Sequence, residues 1–152
     1  MKKVIWGVLL LLFAAGAARA EVKVIDGDSL LVNGVEMRLE GIDAPEYKQI
    51  CYDRKKQPYR CGIKAHDYMS ELVKKGKVHC KKLSVDRYHR QVSICYAGKT
   101  DLNREMVKAG WAVAYDRYSD MYVSDEKEAK KAKRGIWQGK FMKPELWRRL
   151  QD

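Results

Sequence analysis

Proline is scarce, with three in 152 residues, and the chain contains neither an internal repeat nor a low-complexity linker. Disorder and solenoid architectures are thereby excluded. No apolar run reaches the roughly 20 residues that a membrane-spanning helix needs, since the run from Val4 to Ala18 has 15. The four cysteines form no C-x-x-C pair, and His66, His79 and His89 show no spacing that matches them, which argues against a tetrahedral zinc site. Acidic residues are also short in supply: 20 Asp and Glu face 31 Lys and Arg, a formal charge of +11. Such a balance excludes an acidic buffering or solvating role and makes a polyanion the expected partner. What remains is a chain with 46% hydrophobic residues, long enough for one domain and one core.

Lys2 and Lys3 precede the apolar run, and Ala18-Arg19-Ala20 supplies small residues around a cleavage point. This is the pattern of a secretory signal peptide. Residues 1–20 are therefore expected to be removed, with cleavage after Ala20, leaving one domain over 21–152. No cysteine stands near the cleavage point to take a lipid, so the expectation is a monomer with no membrane attachment, periplasmic or secreted. Removing Lys2, Lys3 and Arg19 from the 31 basic residues leaves 28 against 20 acids, a formal +8. Cys51, Cys61, Cys80 and Cys95 all lie in the exported part, where disulfides are favoured.

Val22 to Ile42 alternates apolar and polar residues as strands do. Asn33-Gly34 suits a two-residue turn with positive φ at both positions, so a hairpin is expected there. Tyr47 to Arg60 reads as a surface loop tied at its base by Cys51 and Cys61. Ala65, Tyr68, Met69, Leu72 and Val73 recur at helical spacing. Val78–Val85 and Gln91–Tyr96 read as strands joined by Asp86–Arg90, a register that would pair Cys80 with Cys95. Asp101 can cap a short helix, Trp111–Tyr115 can return as a strand, Ser124 can cap another helix, and Pro144 opens a final amphipathic turn or two.

Two acid-bearing turns could carry chemistry. Asp26-Gly27-Asp28-Ser29 breaks two strand-like runs, and alone it fits an ordinary Asp/Gly turn. Arg38-Leu39-Glu40-Gly41-Ile42-Asp43-Ala44-Pro45-Glu46 brings the Arg38 guanidinium and the Asp43 and Glu46 carboxylates within nine residues at a strand end, with a proline between the two acids. With Asp86-Arg87-Tyr88-His89-Arg90-Gln91, and more loosely Ala109-Gly110-Trp111-Ala112 and Gly135-Ile136-Trp137, these blocks resemble the thermonuclease (staphylococcal nuclease-like) family. The resemblance spans nearly all of the exported chain. It implies an α+β fold, a five-stranded, closed or partly open oligonucleotide-binding (OB-fold) β-barrel with about three helices, and a calcium-dependent nuclease that hydrolyses DNA, RNA or both, by endonuclease or exonuclease cleavage.

The same resemblance implies roles. Asp28 and Asp43, with the backbone carbonyl of Ala44, match the Ca2+ ligands; Arg38 and Arg90 match the phosphate-binding arginines; and Glu46 matches the catalytic glutamate. Arg87, Tyr88 and Tyr115 match positions that touch the terminal phosphate or base. Two departures stand out, Ala44 in place of threonine and His89 in place of glycine. The residue types suit the task, because two guanidinium forks and a cation can neutralise a pentavalent phosphorane while a carboxylate activates water. The rival expectation is a catalytically inactive OB-fold module that binds nucleic acid with basic and aromatic groups alone. Such a module has no need for Asp28, Asp43 and Glu46 together, and a basic surface for anionic lipid or cell wall explains none of the acids.

Amino-terminal sequencing of the protein recovered from the exporting cell is expected to start at Glu21. A chain that still carries Met1 and sediments with membranes would instead identify the apolar run as an anchor.

Overall fold

The computed structural model describes residues 20–117 and 119–151; the expected signal segment lies outside the described residues, apart from Ala20. Strands β1 (Val22–Asp26), β2 (Ser29–Val32) and β3 (Val35–Leu39) form an antiparallel meander. The β2–β3 turn is Asn33-Gly34, with φ of 50° and 79°, as an Asn-Gly hairpin requires. Met37 and Leu39 are buried while Arg38 between them faces the other side of the sheet, the alternation that a pleated strand imposes.

After the short β4 (Ile42–Asp43), the segment expected to be a plain loop contains its own two-rung hairpin, β5 (Cys51–Tyr52) against β6 (Pro58–Tyr59). Cys51 and Cys61 are bonded across its base. Helix α1 (Cys61–Leu72) follows, then a 3-10 turn over Val73–Lys75. The long hairpin β7 (Val78–Val85) and β8 (Gln91–Ala97) places Cys80 opposite Cys95, and they too are bonded. β9 (Thr100–Asp101) leads into α2 (Leu102–Lys108), where the Asp101 side chain accepts from Arg104 N at 2.9 Å. β10 (Val113–Ala114) pairs with β4, and α3 (Val123–Lys131) and α4 (Pro144–Arg149) complete the chain.

Four expectations are corrected. The main sheet runs β1-β2-β3-β8-β7, with β9 added beside β8. It is therefore a six-stranded mixed sheet, in which β3 and β8 pair in parallel; of the closed or partly open five-stranded barrel expected, the closed form is not what the described residues make. Among the described residues no ladder joins β1 to β7; α1 packs along β1 instead, so a helix covers that flank. Among the described residues the α-helices number four, because Pro144 at the first position lets the last segment form a true α-helix. Ser124 is not a cap: α3 starts one residue earlier, with Tyr122 at the N-cap and no side-chain cap bond. The strand anticipated over Trp111–Tyr115 is reduced to Val113–Ala114.

The core gathers Leu30 and Leu39 from the sheet, Ile42, Met69 and Leu72 of α1, and Leu102 and Met106 of α2, all at most 1% exposed. Each such side chain contributes roughly 1.5–3 kcal/mol of burial. Asn103 is buried with them and fully used: its Nδ2 donates to Glu40 O (2.9 Å) and Ser93 O (3.2 Å), and its Oδ1 accepts from Cys95 N (3.0 Å). α2 is thus stitched to β8 and to the turn that precedes β4.

Two glycines set how closely the turns approach. A Cβ at Gly27 would meet the Cβ atoms of Ala44 and Ala65 at 2.7 and 2.9 Å, and one at Gly62 would lie 1.8 Å from Glu46 O. The second contact is with backbone, which cannot swing aside. Gly62→Ala is accordingly expected to destabilise the fold by about 3 kcal/mol, the upper range for overpacking, read from urea unfolding, and to displace the 44–47 turn.

Candidate active site

The Gly27 contact brings the β1–β2 turn onto the 43–46 turn, and two acids meet there. Asp28 is 5% exposed and Asp43 is 1% exposed, so neither charge is tenable without partners. Asp28 Oδ2 accepts from Ala44 N at 2.7 Å, and its backbone carbonyl accepts from Leu39 N at 2.8 Å. Arg38 reaches over from β3: Nη1 lies 3.2 Å from Asp28 Oδ1, and Nη2 lies 3.2 Å from Asp43 Oδ1. One guanidinium therefore bridges the two carboxylates. Burial and the nearby charge of Asp28 push the Asp43 carboxyl up to about 6, against the pull of Arg148 and Arg38. Asp26, at the mouth of the same turn, is pushed to about 8 by burial and then by Asp28.

Glu46 stands at the edge of this cluster, its backbone tied down on two sides. Gln49 is fully buried; its Oε1 accepts from Glu46 N (3.2 Å), and its own N donates to Glu46 O (2.7 Å). Gln49 Nε2 donates to Met142 O at 2.8 Å, which couples the Glu46 turn to the segment entering α4. That helix returns Arg148 to the acids. Its Nη1 donates to Asp43 Oδ1 (2.8 Å) and Glu46 Oε1 (2.7 Å), and its Nη2 donates to Asp43 Oδ2 (3.2 Å). Burial works against the Arg148 charge, but the hydrogen bonds and charges of Asp43 and Glu46 outweigh it and raise its pKa.

A groove of about 1230 Å³ opens over these residues, lined by Asp28, Arg38 and Glu46, by Arg87, Tyr88 and Arg90 of the β7–β8 turn, and by Tyr115. Every side chain expected at the site thus lies in the cluster or along its groove. Asp43 and Ala44 sit behind its wall, at 1% and 2% exposure. Arg90 is held by Asp86 Oδ2, 2.8 Å from Nε, while Asp86 Oδ1 accepts from Tyr88 N and Arg90 N. Burial opposes ionisation of Asp86, yet these bonds lower its pKa. His89 adopts φ 64°, the left-handed conformation in which glycine is least strained; the turn keeps that shape with histidine in it. Arg87 Cζ lies 4.8 Å from the centroid of the exposed Tyr88 ring. A smaller hollow of about 200 Å³, lined by Ala20, Val22, Val73, Lys74, Gly76 and Val78, gathers no comparable set of charges.

The donor atoms at the cluster are oxygens only, two neighbouring carboxylates with the Ala44 backbone alongside. Among the described residues no three or more His, Cys, Asp or Glu side chains are grouped to hold a metal. A two-carboxylate set that leaves room for carbonyl and water oxygens fits a hard divalent cation and suits neither zinc nor copper.

Sequence reasoning missed Arg148 and Gln49. Arg148 is 105 residues from Asp43, and a basic pair at a helix C-terminus is explained adequately by the helix dipole. Gln49 sits in a polar stretch with nothing to mark its burial.

A profile described as staphylococcal nuclease homologue matches residues 36–139. An uncharacterized endonuclease of Haemophilus influenzae is 33% identical over 165 aligned positions, covering 99% of this chain and 87% of its own. The micrococcal nuclease of Shigella flexneri is 33% identical over 147, covering 84% and 78%. Succinoglycan biosynthesis protein ExoI of Rhizobium meliloti is 35% identical over 137, covering 85% and 71%.

Gln49→Leu keeps the volume but strips Glu46 N and Met142 O of their buried partner. It is expected to lower stability by about 1–3 kcal/mol and to speed tryptic cleavage after the exposed Lys140, as the segment entering α4 loosens before the rest of the chain unfolds.

Proposed function

The chain belongs to the staphylococcal nuclease homologue family, and from that premise we propose that it is an exported, calcium-dependent nuclease hydrolysing phosphodiester bonds of DNA, RNA or both. The observation that carries this reading is the buried pair Asp28 and Asp43, bridged by Arg38 beside Glu46 at the floor of an arginine-lined groove. A surface that only bound nucleic acid would gain nothing from burying two acids beneath it. Export of the chain through residues 1–20 is supported by its two disulfides, which persist in oxidising compartments. Among the described residues no helix is long and apolar enough to cross a membrane.

Asp28, Asp43 and the Ala44 carbonyl would hold calcium, which when bound polarises the phosphoryl group and offsets its charge. Arg38, anchored by both aspartates, presents its guanidinium to the developing phosphorane oxygens. Arg90 supplies a second fork, whose plane Asp86 fixes through Nε; bidentate geometry, beyond charge alone, is what arginine offers here. Glu46 takes a proton from the attacking water as its oxygen bonds to phosphorus, and the ester P–O bond breaks on the opposite side. Its backbone is locked by Gln49 and by the close approach of Gly62, so the carboxylate works from a fixed base. Arg87, Tyr88 and Tyr115 line the groove, where a guanidinium and aromatic faces meet flanking phosphates and bases.

The test is incubation of the exported chain with supercoiled plasmid, single-stranded DNA and RNA, each with calcium, magnesium or chelator. Cleavage that needs calcium and stops with chelator supports the proposal; binding without cleavage in every condition would leave only a nucleic-acid-binding module. Glu46→Gln should lower kcat by about 10² to 10⁴ at every calcium concentration. Asp28→Asn should instead recover part of its loss as calcium is raised, with circular dichroism confirming that both variants fold.

A further inference from the structure

Arg148 occupies both oxygens of Asp43 and one of Glu46, and Arg38 shares Asp43 Oδ1 at 3.2 Å. A cation that takes Asp43 as a ligand competes with these guanidiniums, since Oδ1 already accepts from both and Oδ2 from Arg148, and the repulsion of a divalent charge at contact distance favours withdrawal of one of them. Arg38 is the less able to leave. Its side chain is 16% exposed, and it also donates to the carbonyls of Asp28 and Leu39. Arg148 is 37% exposed and reaches the acids from the short terminal helix α4. The helix need not move with it, because Gln49 holds Met142 and Glu145 pairs with Arg117 at 3.3 Å.

Charge decides where the released guanidinium belongs. Asp28, Asp43 and Glu46 with Arg38 and Arg148 sum to a formal −1; a divalent cation takes that to +1, and one phosphodiester monoanion takes it to zero. Without Arg148 the cation alone would neutralise the cluster, and the phosphate would be attracted only by the arginines farther along the groove. Arg148 and its neighbours Arg117 and Arg149 line one side of the same groove as Arg38, Arg87 and Arg90, so a guanidinium leaving Asp43 enters the space open to substrate.

We propose that Arg148 is a substrate-binding residue released by the cation: it pairs with Asp43 and Glu46 in the cation-free chain, and divalent-cation binding at Asp43 frees its fork for a phosphate of the nucleic acid. The proposal rests on the nuclease reading of this groove. It makes cation and substrate binding interdependent, with the cation creating a phosphate site that its absence keeps closed.

Calorimetric titration of calcium into the exported chain, without nucleic acid, is the first arm. Arg148→Gln should bind calcium about fivefold more tightly than wild type, because Arg148 no longer competes for Asp43 and only Arg38 remains on it. The second arm uses a fluorescent, fully phosphorothioate single-stranded 10-mer at saturating calcium. Here Arg148→Gln should bind about tenfold more weakly, with its salt slope reduced by roughly 0.7, the value of one lost single-strand phosphate contact. Arg148→Lys, which keeps charge but not the fork, should fall between in the second arm. Calcium affinity that is unchanged or weaker in a variant that circular dichroism shows to be folded, or unchanged 10-mer affinity, overturns the proposal. If wild type cleaves nucleic acid while Arg148→Gln matches it in both arms, this inference alone fails; if wild type neither binds calcium nor cleaves, the nuclease reading fails with it.

Discussion

A carboxylate with 1% exposure cannot keep its charge without neighbours, and Asp43 organises much of this molecule around that constraint. Its two oxygens draw Arg38 from β3 and Arg148 from α4, elements at opposite ends of the chain. Removing one partner from a buried ion pair costs about 3–5 kcal/mol, since the other charge is left stranded. The acid cluster is therefore part of what holds the C-terminal helix to the sheet. Stability and chemistry draw on the same atoms, and a cluster built only for stability would do as well or better with apolar residues of similar volume.

Backbone proximity is the second requirement. Gly27 lets the Asp28 turn lie against Ala44, and Gly62 lets the start of α1 lie against Glu46 O. The Cys51–Cys61 bond closes the loop between the Glu46 turn and α1, while Gly62 N donates to Gln49 O at 3.4 Å. Glu46 is thus carried by a rigid corner although it belongs to no helix or strand. Rigidity matters there because a base or ligand displaced by about 1 Å loses much of its effect. Across the groove, Asp86 does the equivalent work for Arg90 by tying the β7–β8 turn to the guanidinium it presents.

Local signals were legible where local physics decides. Asn33-Gly34 can do little else than reverse the chain, Asp101 caps the helix that follows it, and alternation over Val35–Leu39 fixes which face of β3 is buried. The Cys80–Cys95 pair followed from reading Asp86–Arg90 as a hairpin turn. Elements without such signals were less legible: the β5–β6 rungs and the first turn of α3 depend on neighbours that no local pattern names. Asp28, Asp43 and Glu46 with Arg38 and Arg90 could be singled out as candidates because three motif blocks keep their order and spacing, whereas Arg148 lies outside those blocks.

By itself the sequence determined a basic charge that favours a polyanion, the strand and helix periods and the disulfide pairing, because each of these depends on residue type or on neighbours within one turn or hairpin; the candidate site residues came from the motif blocks and their resemblance to a family. Only the tertiary structure decided that the sheet stays open with α1 along β1, that Gln49 is buried beneath Glu46, and that Arg148 closes over Asp43. Those outcomes join residues 43 and 148, or 49 and 142, through long-range packing. A guanidinium at a helix end looks alike in sequence whether it faces water or a buried carboxylate; its surroundings are set by how the rest of the chain folds around them.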